Sequence, residues 1–217
     1  MIDVIDTRNL RDLAPDVLDT NGELRILPAS YWAGTTRNER AAFGVRHGLY
    51  CFPTVELVEW LKRAIDGRSA IEIGSGSGTL AKALGIPATD NRMQEWPEIR
   101  AIYASTRQPV VRYGDNVERM HALEAVAHYQ PDVVVAAWVT HVFEPHRPQA
   151  GGNVYGVDEI AMLRSISTYL FVGNRNTHAG KALWAQKPAE YIEAPWLVSR
   201  AMSDEPNFAA RWEAPID

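Results

Sequence analysis

A single cysteine, Cys51, stands in a chain of 217 residues. One thiol cannot close an internal disulfide, so no cross-link framework is available and nothing points to an oxidising compartment. Cys51 lies in the apolar-aromatic stretch from Leu49 to Pro53 and is read as a buried, inert thiol. Long apolar runs are missing too. No stretch approaches the ~20 residues that span a bilayer. Met1 to Asp16 mixes acids with arginines where a secretory leader would carry an apolar core. The expectation is a cytoplasmic protein with no membrane partner. Positive charge is also scarce: 22 Lys and Arg face 27 Asp and Glu, for a formal net charge of -5. Such a surface repels phosphate backbones. Nucleic acid is disfavoured as a partner on that ground, although a local basic patch would escape the argument. Internal repeats and low-complexity tracts are absent as well.

What is present is ordinary for one folded domain with a short appendage: 46% hydrophobic and 23% charged residues. Residues 1–50 are broken by Asn21-Gly22, Gly44 and Gly48, with weak helical hints at Leu10, Ala14 and Leu18 and at Asn38 to Phe43. They read as an N-terminal extension or lid packed on a main domain, residues 51–217. That domain opens with a helix signal. Thr54 can cap it, acids Glu56 and Glu59 follow, and Val55, Val58, Leu61 and Ile65 recur at helical spacing. Ser69 to Ile73 is a short apolar strand running into glycines, and Thr79 to Leu84 is a helix closed by Gly85. Ile86 to Thr89 reads as a strand ending at Asp90, and Val110 to Tyr113 as another, ending at Gly114-Asp115. Val117 to Tyr129 reads as a helix. Val133 to Ala137 is the strongest strand signal, apolar on both faces as the middle of a parallel sheet requires. Val157 to Ile166 reads as a helix, Thr168 to Val172 as a strand, and the tail offers strands near Trp196-Leu197-Val198 and Phe208 to Trp212. Strands alternating with helices predict an α/β fold: an open, doubly wound, mostly parallel sheet with helices on both faces.

The chemistry-bearing motif is Glu72-Ile73-Gly74-Ser75-Gly76-Ser77-Gly78. A strand that ends in glycines and opens a helix lets a ligand approach the backbone closely. A dinucleotide loop has the pattern G-x-G-x-x-G, and Thr79 stands where its third glycine would fall. A phosphate-binding loop of the G-x-x-x-x-G-K-[ST] kind needs a lysine that this run lacks.

The run resembles, at every fixed position, the E/D-x-G-x-G-x-G loop of class I S-adenosylmethionine-dependent methyltransferases. The likeness covers about residues 50–175 and implies a Rossmann-like methyltransferase fold with S-adenosylmethionine as cofactor and S-adenosylhomocysteine as product. It implies that Gly74, Ser75, Gly76 and Gly78 cradle the cofactor, with Glu72 near its ammonium group. Asp90, at the end of the second strand, resembles the acid that holds both ribose hydroxyls. The preceding helix is short, which makes Asn91 the alternative. Gly114-Asp115-Asn116 resembles the segment near the adenine amino group, which assigns Asp115 and Asn116 there. Ala136-Ala137-Trp138 occupies the slot beside the reactive end, so Ala137 and Trp138 complete the set.

Methyl transfer demands positioning and sometimes a base. His141, just past the fourth strand, is the catalytic candidate because it can titrate near neutral pH. A plain loop histidine is the competing reading. His141, Glu144 and His146 match no recognised metal-ligand spacing, and Pro145 breaks any helix there, so no metal is expected. No G-x-S-x-G nucleophile motif exists. Tyr31, Trp32, Tyr50 and Phe52 precede the core and are candidates for a lid, and Trp138 and Tyr155 for an acceptor wall. The Asn/Asp-Pro-Pro-Tyr motif of amino-methylating DNA enzymes and the Pro-Cys pair of cytosine C5 enzymes are absent. The resemblance therefore implies methyl transfer to a small molecule or a protein side chain. Three other functions stay open: a cofactor-binding module without transfer, a nicotinamide-dependent oxidoreductase, and an interaction protein whose glycine loop is only structural. The oligomeric state is not legible.

Overall fold

Val133 to Ala137 needs apolar cover on both sides, because Val134 and Ala136 point one way and Val133 and Val135 the other. All four are fully buried in the computed structural model, which describes residues 9–106 and 108–214. Residues 1–8 of the expected extension lie outside this range. In chain order the elements are α1 (Ala14–Val17), α2 (Ala29–Ala33), α3 (Arg37–His47), β1 (Cys51–Phe52), α4 (Val55–Ile65), β2 (Ala70–Ile73), α5 (Thr79–Leu84), β3 (Ala88–Asp90), α6 (Pro97–Ser105), β4 (Val117–Arg119), α7 (Ala122–Tyr129), β5 (Val133–Ala137), α8 (Glu159–Met162), β6 (Thr168–Asn174), β7 (Glu190–Ile192), β8 (Val198–Ser199) and β9 (Asn207–Glu213).

Seven strands form the main sheet in the order β4-β3-β2-β5-β6-β9-β7. Strands β4, β3, β2, β5 and β6 are parallel, and β9 is antiparallel to β6 and β7. This is the open, doubly wound, mostly parallel α/β architecture expected from the sequence. One face is covered by α7 and α8, whose Ala125, Val126 and Met162 pack with Ile71, Ile73, Val134, Tyr169 and Phe171. The other is covered by α4 and α5, whose Leu57, Leu61, Ile65 and Leu80 pack with Val133, Val135 and Leu170. Helix α4 starts as its sequence requires: Thr54 Oγ1 accepts from the Leu57 amide at 3.1 Å.

The chain leaves β2 toward β3 and β4, then returns to β5 on the other side of β2. That reversal opens a crevice at the carboxyl ends of β2 and β5, the standard ligand position in such sheets. The N-terminal helices do not extend the main sheet. They pack through Leu13, Val17, Trp32 and Phe43 against Phe52 and Val198. A two-stranded ribbon of β1 and β8 fastens them, pairing Cys51 with Ser199.

Two expectations are corrected. Val110 to Tyr113 is not a strand. It makes no ladder and runs as an irregular segment, and Val111 N donates to the Gln94 side chain (2.9 Å). The third parallel strand is β4, at Val117–Arg119, inside the stretch read as one helix. Only Val117 of its three residues is buried, so a short edge strand left almost no apolar pattern. Among the described residues, no helix is long and apolar enough to cross a membrane.

Candidate functional site

The turn after β2 requires left-handed backbone at three alternate positions: Gly74 (φ 56°), Gly76 (φ 55°) and Gly78 (φ 71°). Side chains other than glycine adopt this region at a cost. Gly74 has a second reason to be glycine, since a Cβ there would run into Val139 Cγ1. The loop thus lies against the corner that follows β5, and together they floor a cavity of about 230 Å³.

Glu72 sits in the third position of β2 and is 2% exposed. Its Oε2 accepts from the Ala81 amide at 2.8 Å. The carboxylate therefore fills the positive end of α5, where a dinucleotide site would hold its pyrophosphate. Burial pushes its pKa up to about 8, against the opposing pull of the Ala81 amide, and the nearby charge of Asp90 adds to the rise. The half-buried Cys51 thiol lies beside it and is pushed up to about 12, first by desolvation and then by Glu72. Such a thiol is no nucleophile at neutral pH.

Across the loop, Asp90 ends β3 and is 9% exposed. Its Oδ2 accepts from Gly76 N (3.0 Å) and its Oδ1 from Arg92 N (2.7 Å). A carboxylate offers about four acceptor directions, so capacity for a ligand's hydroxyls remains. Burial raises its pKa, while both amides and Arg92 pull the other way. Ser75 Oγ, in the same loop, is enclosed and has no partner among the described residues. An orphaned buried hydroxyl is unusual, and here it borders the cavity, where a ligand could satisfy it.

Glu72, Gly74, Ser75, Gly76, Asp90, Asn91, Ala137 and Trp138 all line this one cavity. Gly78 lies just behind, as N-cap of α5. Asn91 carries its amide to the Tyr155 carbonyl (3.1 Å), tying the two walls together. Asp115 and Asn116 are not brought in. Both are exposed, and neither lines the cavity. The cause is the shifted strand: they precede β4, whose ligand-facing end is Arg119, followed by Met120 and His121. Those last two do line the cavity. Asn116 instead donates to the Gly78 carbonyl at 3.1 Å.

His141 is also placed elsewhere. It is 9% exposed and borders a second cavity with Glu144, His146 and Glu159. Its Nε2 has no partner among the described residues. Burial lowers its pKa, with Lys181 adding to the effect and Glu159 opposing it. Nothing places it against the glycine loop. Glu144 is held by Arg147 at 2.7 Å, and no group of three or more potential metal ligands is gathered among the described residues.

Sequence reading named Tyr50, Trp138 and Tyr155 of the aromatic rim but missed Tyr103 and Tyr113. Tyr103 comes from α6, a helix with no buried residue, and Tyr113 from the irregular segment before β4. Tyr103 and Tyr50 share a hydroxyl hydrogen bond (3.2 Å), and the Arg200 guanidinium lies 3.7 Å from the Tyr50 ring centroid. Enclosure pushes both Tyr103 and Tyr113 phenols above their usual range. Trp138 turns the chain at the end of β5 with φ 63°, a conformation that costs a tryptophan about 1–2 kcal/mol. Its ring meets His178 edge to face at 5.2 Å. No local pattern in the sequence announces a left-handed tryptophan.

Neither a family model nor a curated protein matches the chain. Solved structures resemble it distantly. The METTL16 methyltransferase domain shares 16% identity over 92% of this chain and 86% of its own, with a TM-score of 0.42. The precorrin-6y C5,15-methyltransferase of Geobacter metallireducens shares 14% over 74% of this chain and 89% of its own, at 0.38. The Pyrococcus abyssi tRNA (uracil-54, C5)-methyltransferase, in complex with S-adenosyl-L-homocysteine, shares 12% over 72% of this chain, at 0.39. This chain spans only 37% of that enzyme. Likenesses this distant do not bear on the acceptor or the chemistry.

Proposed function

We propose that the cavity binds S-adenosylmethionine and that the protein transfers its methyl group to an acceptor. The observation that carries this reading is the pairing of Glu72 with the glycine loop. The Glu72 carboxyl already occupies the α5 N-terminus (Ala81 N to Glu72 Oε2, 2.8 Å), so that amide is not free for a phosphate, and an ammonium arriving there draws the carboxyl into its charged form. The ligand suited to it has an ammonium group, hydroxyls and no phosphate. Glu72 and Ser75 would hold the amino-acid end, and Asp90, with Asn91 beside it, the ribose. Met120 and His121 take the adenine edge in place of Asp115 and Asn116. Ala137, Trp138 and Tyr155 border the methyl end. A nicotinamide dinucleotide fits poorly because the helix-end amide its pyrophosphate would use is already taken by Glu72. We assign residues 1–50 as the lid, which brings Leu49 and Tyr50 to the rim, and residues 51–217 as the binding domain. The single thiol and acidic chain fit a cytoplasmic protein.

The cofactor, when bound, supplies a methyl group on a sulfonium, already a good leaving group. This chain's part is to orient an acceptor and keep water away. At the corner past β5 the lining is Ala137, Trp138, Val139 and Thr140, with Tyr155, Gly156 and Val157 beside them (Val157 N to the Thr140 carbonyl, 2.9 Å). These offer no carboxylate or imidazole. The acceptor must therefore be nucleophilic without a strong protein base, or the protein is a binding module that does not transfer. Incubation with methyl-labelled cofactor and a panel of small molecules, proteins and nucleic acids decides between them. Nucleic acid stays in the panel because a net charge of -5 does not describe a local patch. Label appearing in an acceptor supports transfer. Tight binding with no label in a whole-cell extract favours the binding module.

A further inference from the structure

A buried lysine is tolerated when every one of its donors has a partner. Lys181 is 1% exposed. Its Nζ donates to Glu159 Oε1 (2.9 Å) and to the Val139 carbonyl (2.9 Å), and it faces the Phe171 ring 4.4 Å from the centroid. An ammonium has three donors, and these three directions absorb them. Glu159 Oε1 also accepts from the Tyr169 hydroxyl at 2.7 Å. Tyr169 and Phe171 come from β6, Glu159 opens α8, and Val139 stands two residues past β5. One ammonium thus ties a strand and a helix to the corner of the cavity.

That corner is under strain and must be held. Trp138 is left-handed. Its amide donates to the Val172 carbonyl (2.9 Å), and the next carbonyl, that of Val139, is the one Lys181 takes. The Val139 side chain occupies the space a Cβ at Gly74 of the glycine loop would need. A backbone conformation of this kind persists only where its surroundings over-determine it, and such sites cluster where ligands bind. A buried ion pair is weak evidence of stability, since apolar residues of like volume fill such a space equally well. What the ammonium adds is direction, because it fixes where one carbonyl points.

We infer that Lys181, paired with Glu159, is a positioning residue that locks the Trp138-Val139 corner against the cofactor loop and so sets the shape of the methyl end of the cavity. The inference rests on the proposed cofactor reading only for what the corner faces. Its test uses the full chain labelled with 5-fluorotryptophan, with the Trp138 line assigned by Trp138→Phe. Lys181→Met removes the clamp but leaves a buried carboxylate, so Lys181→Met with Glu159→Gln is measured beside it. The double variant is expected to keep its thermal midpoint within a few degrees. Its Trp138 fluorine line should shift or broaden while the other tryptophan lines hold. Affinity for S-adenosylmethionine should fall at least about tenfold, as a misplaced contact surface would give. A lowered midpoint with an unmoved Trp138 line and unchanged affinity means a merely structural pair and overturns the inference. If neither variant folds, hydrogen exchange in the wild type decides. Slow exchange at residues 138–140, matching β5, supports the clamp, and fast exchange there overturns it. If the wild type binds no S-adenosylmethionine, the function fails while the Trp138 line still decides the clamp.

Discussion

Replacing Asp90 by alanine removes the one carboxylate that faces the glycine loop from the end of β3. The expected loss follows from its bonds. Oδ2 holds Gly76 N and Oδ1 holds Arg92 N, at 3.0 and 2.7 Å. The remaining acceptor directions are those proposed for the two ribose hydroxyls. Loss of hydrogen bonds to a charged acceptor costs about 1–3 kcal/mol, or about 5–150-fold in Kd. Part of any loss could come from the freed Gly76 amide rather than from the ribose. A cycle separates the two: wild type and Asp90→Ala are each titrated with S-adenosylhomocysteine and with its 2′-deoxy analogue. The hydroxyl should contribute to affinity in the wild type and contribute nothing in the variant. If the hydroxyl counts equally in both proteins, Asp90 does not hold the ribose and the assignment is wrong.

Four further outcomes follow. Glu72 has its pKa raised from 4.5 to about 8, so the folded protein holds a proton there that the unfolded chain has lost. Its contribution to stability therefore falls as pH rises from about 4.5 toward 8, and Glu72→Gln should flatten that part of the stability profile in chemical denaturation. An ammonium bound beside Glu72 restores its charge, so binding near pH 7 should release a proton, read by calorimetry in buffers of different ionisation enthalpy; no buffer dependence refutes this. Gly74→Ala meets both a left-handed φ and Val139, and should lose about 2–3 kcal/mol or more in urea unfolding, beyond the roughly 1 kcal/mol of a φ penalty alone. His141→Ala should leave S-adenosylmethionine affinity within about twofold, since His141 borders the other cavity; a larger loss would return it to the binding site.

The glycine loop was legible because its constraint is steric: three alternate glycines after a buried strand have few other uses, and Gly74, Gly76 and Gly78 all take positive φ. The sheet was legible for the same reason at β5, where apolar cover on both faces leaves an unbroken valine run. Legibility failed where burial is one-sided or slight. Val117-Glu118-Arg119 is an edge strand with one buried residue, so it vanished into the following helix. Val110 to Tyr113 alternates like a strand because Val111 and Tyr113 face a cavity rather than a sheet neighbour. That error carried Asp115 and Asn116 to the wrong end of β4. Helix α6 buries nothing, so its contribution of Tyr103 left no periodic trace. The Lys181–Glu159 pair joins residues 22 positions apart across α8 and β6, a contact no local pattern encodes.

The central claim is that the cavity between β2 and β5 is built for S-adenosylmethionine and closed to dinucleotides by Glu72. Calorimetric titration of the wild-type protein with S-adenosylmethionine and with NAD tests it most directly. Micromolar-range binding of the first and none of the second is predicted. Binding of NAD alone would contradict the account.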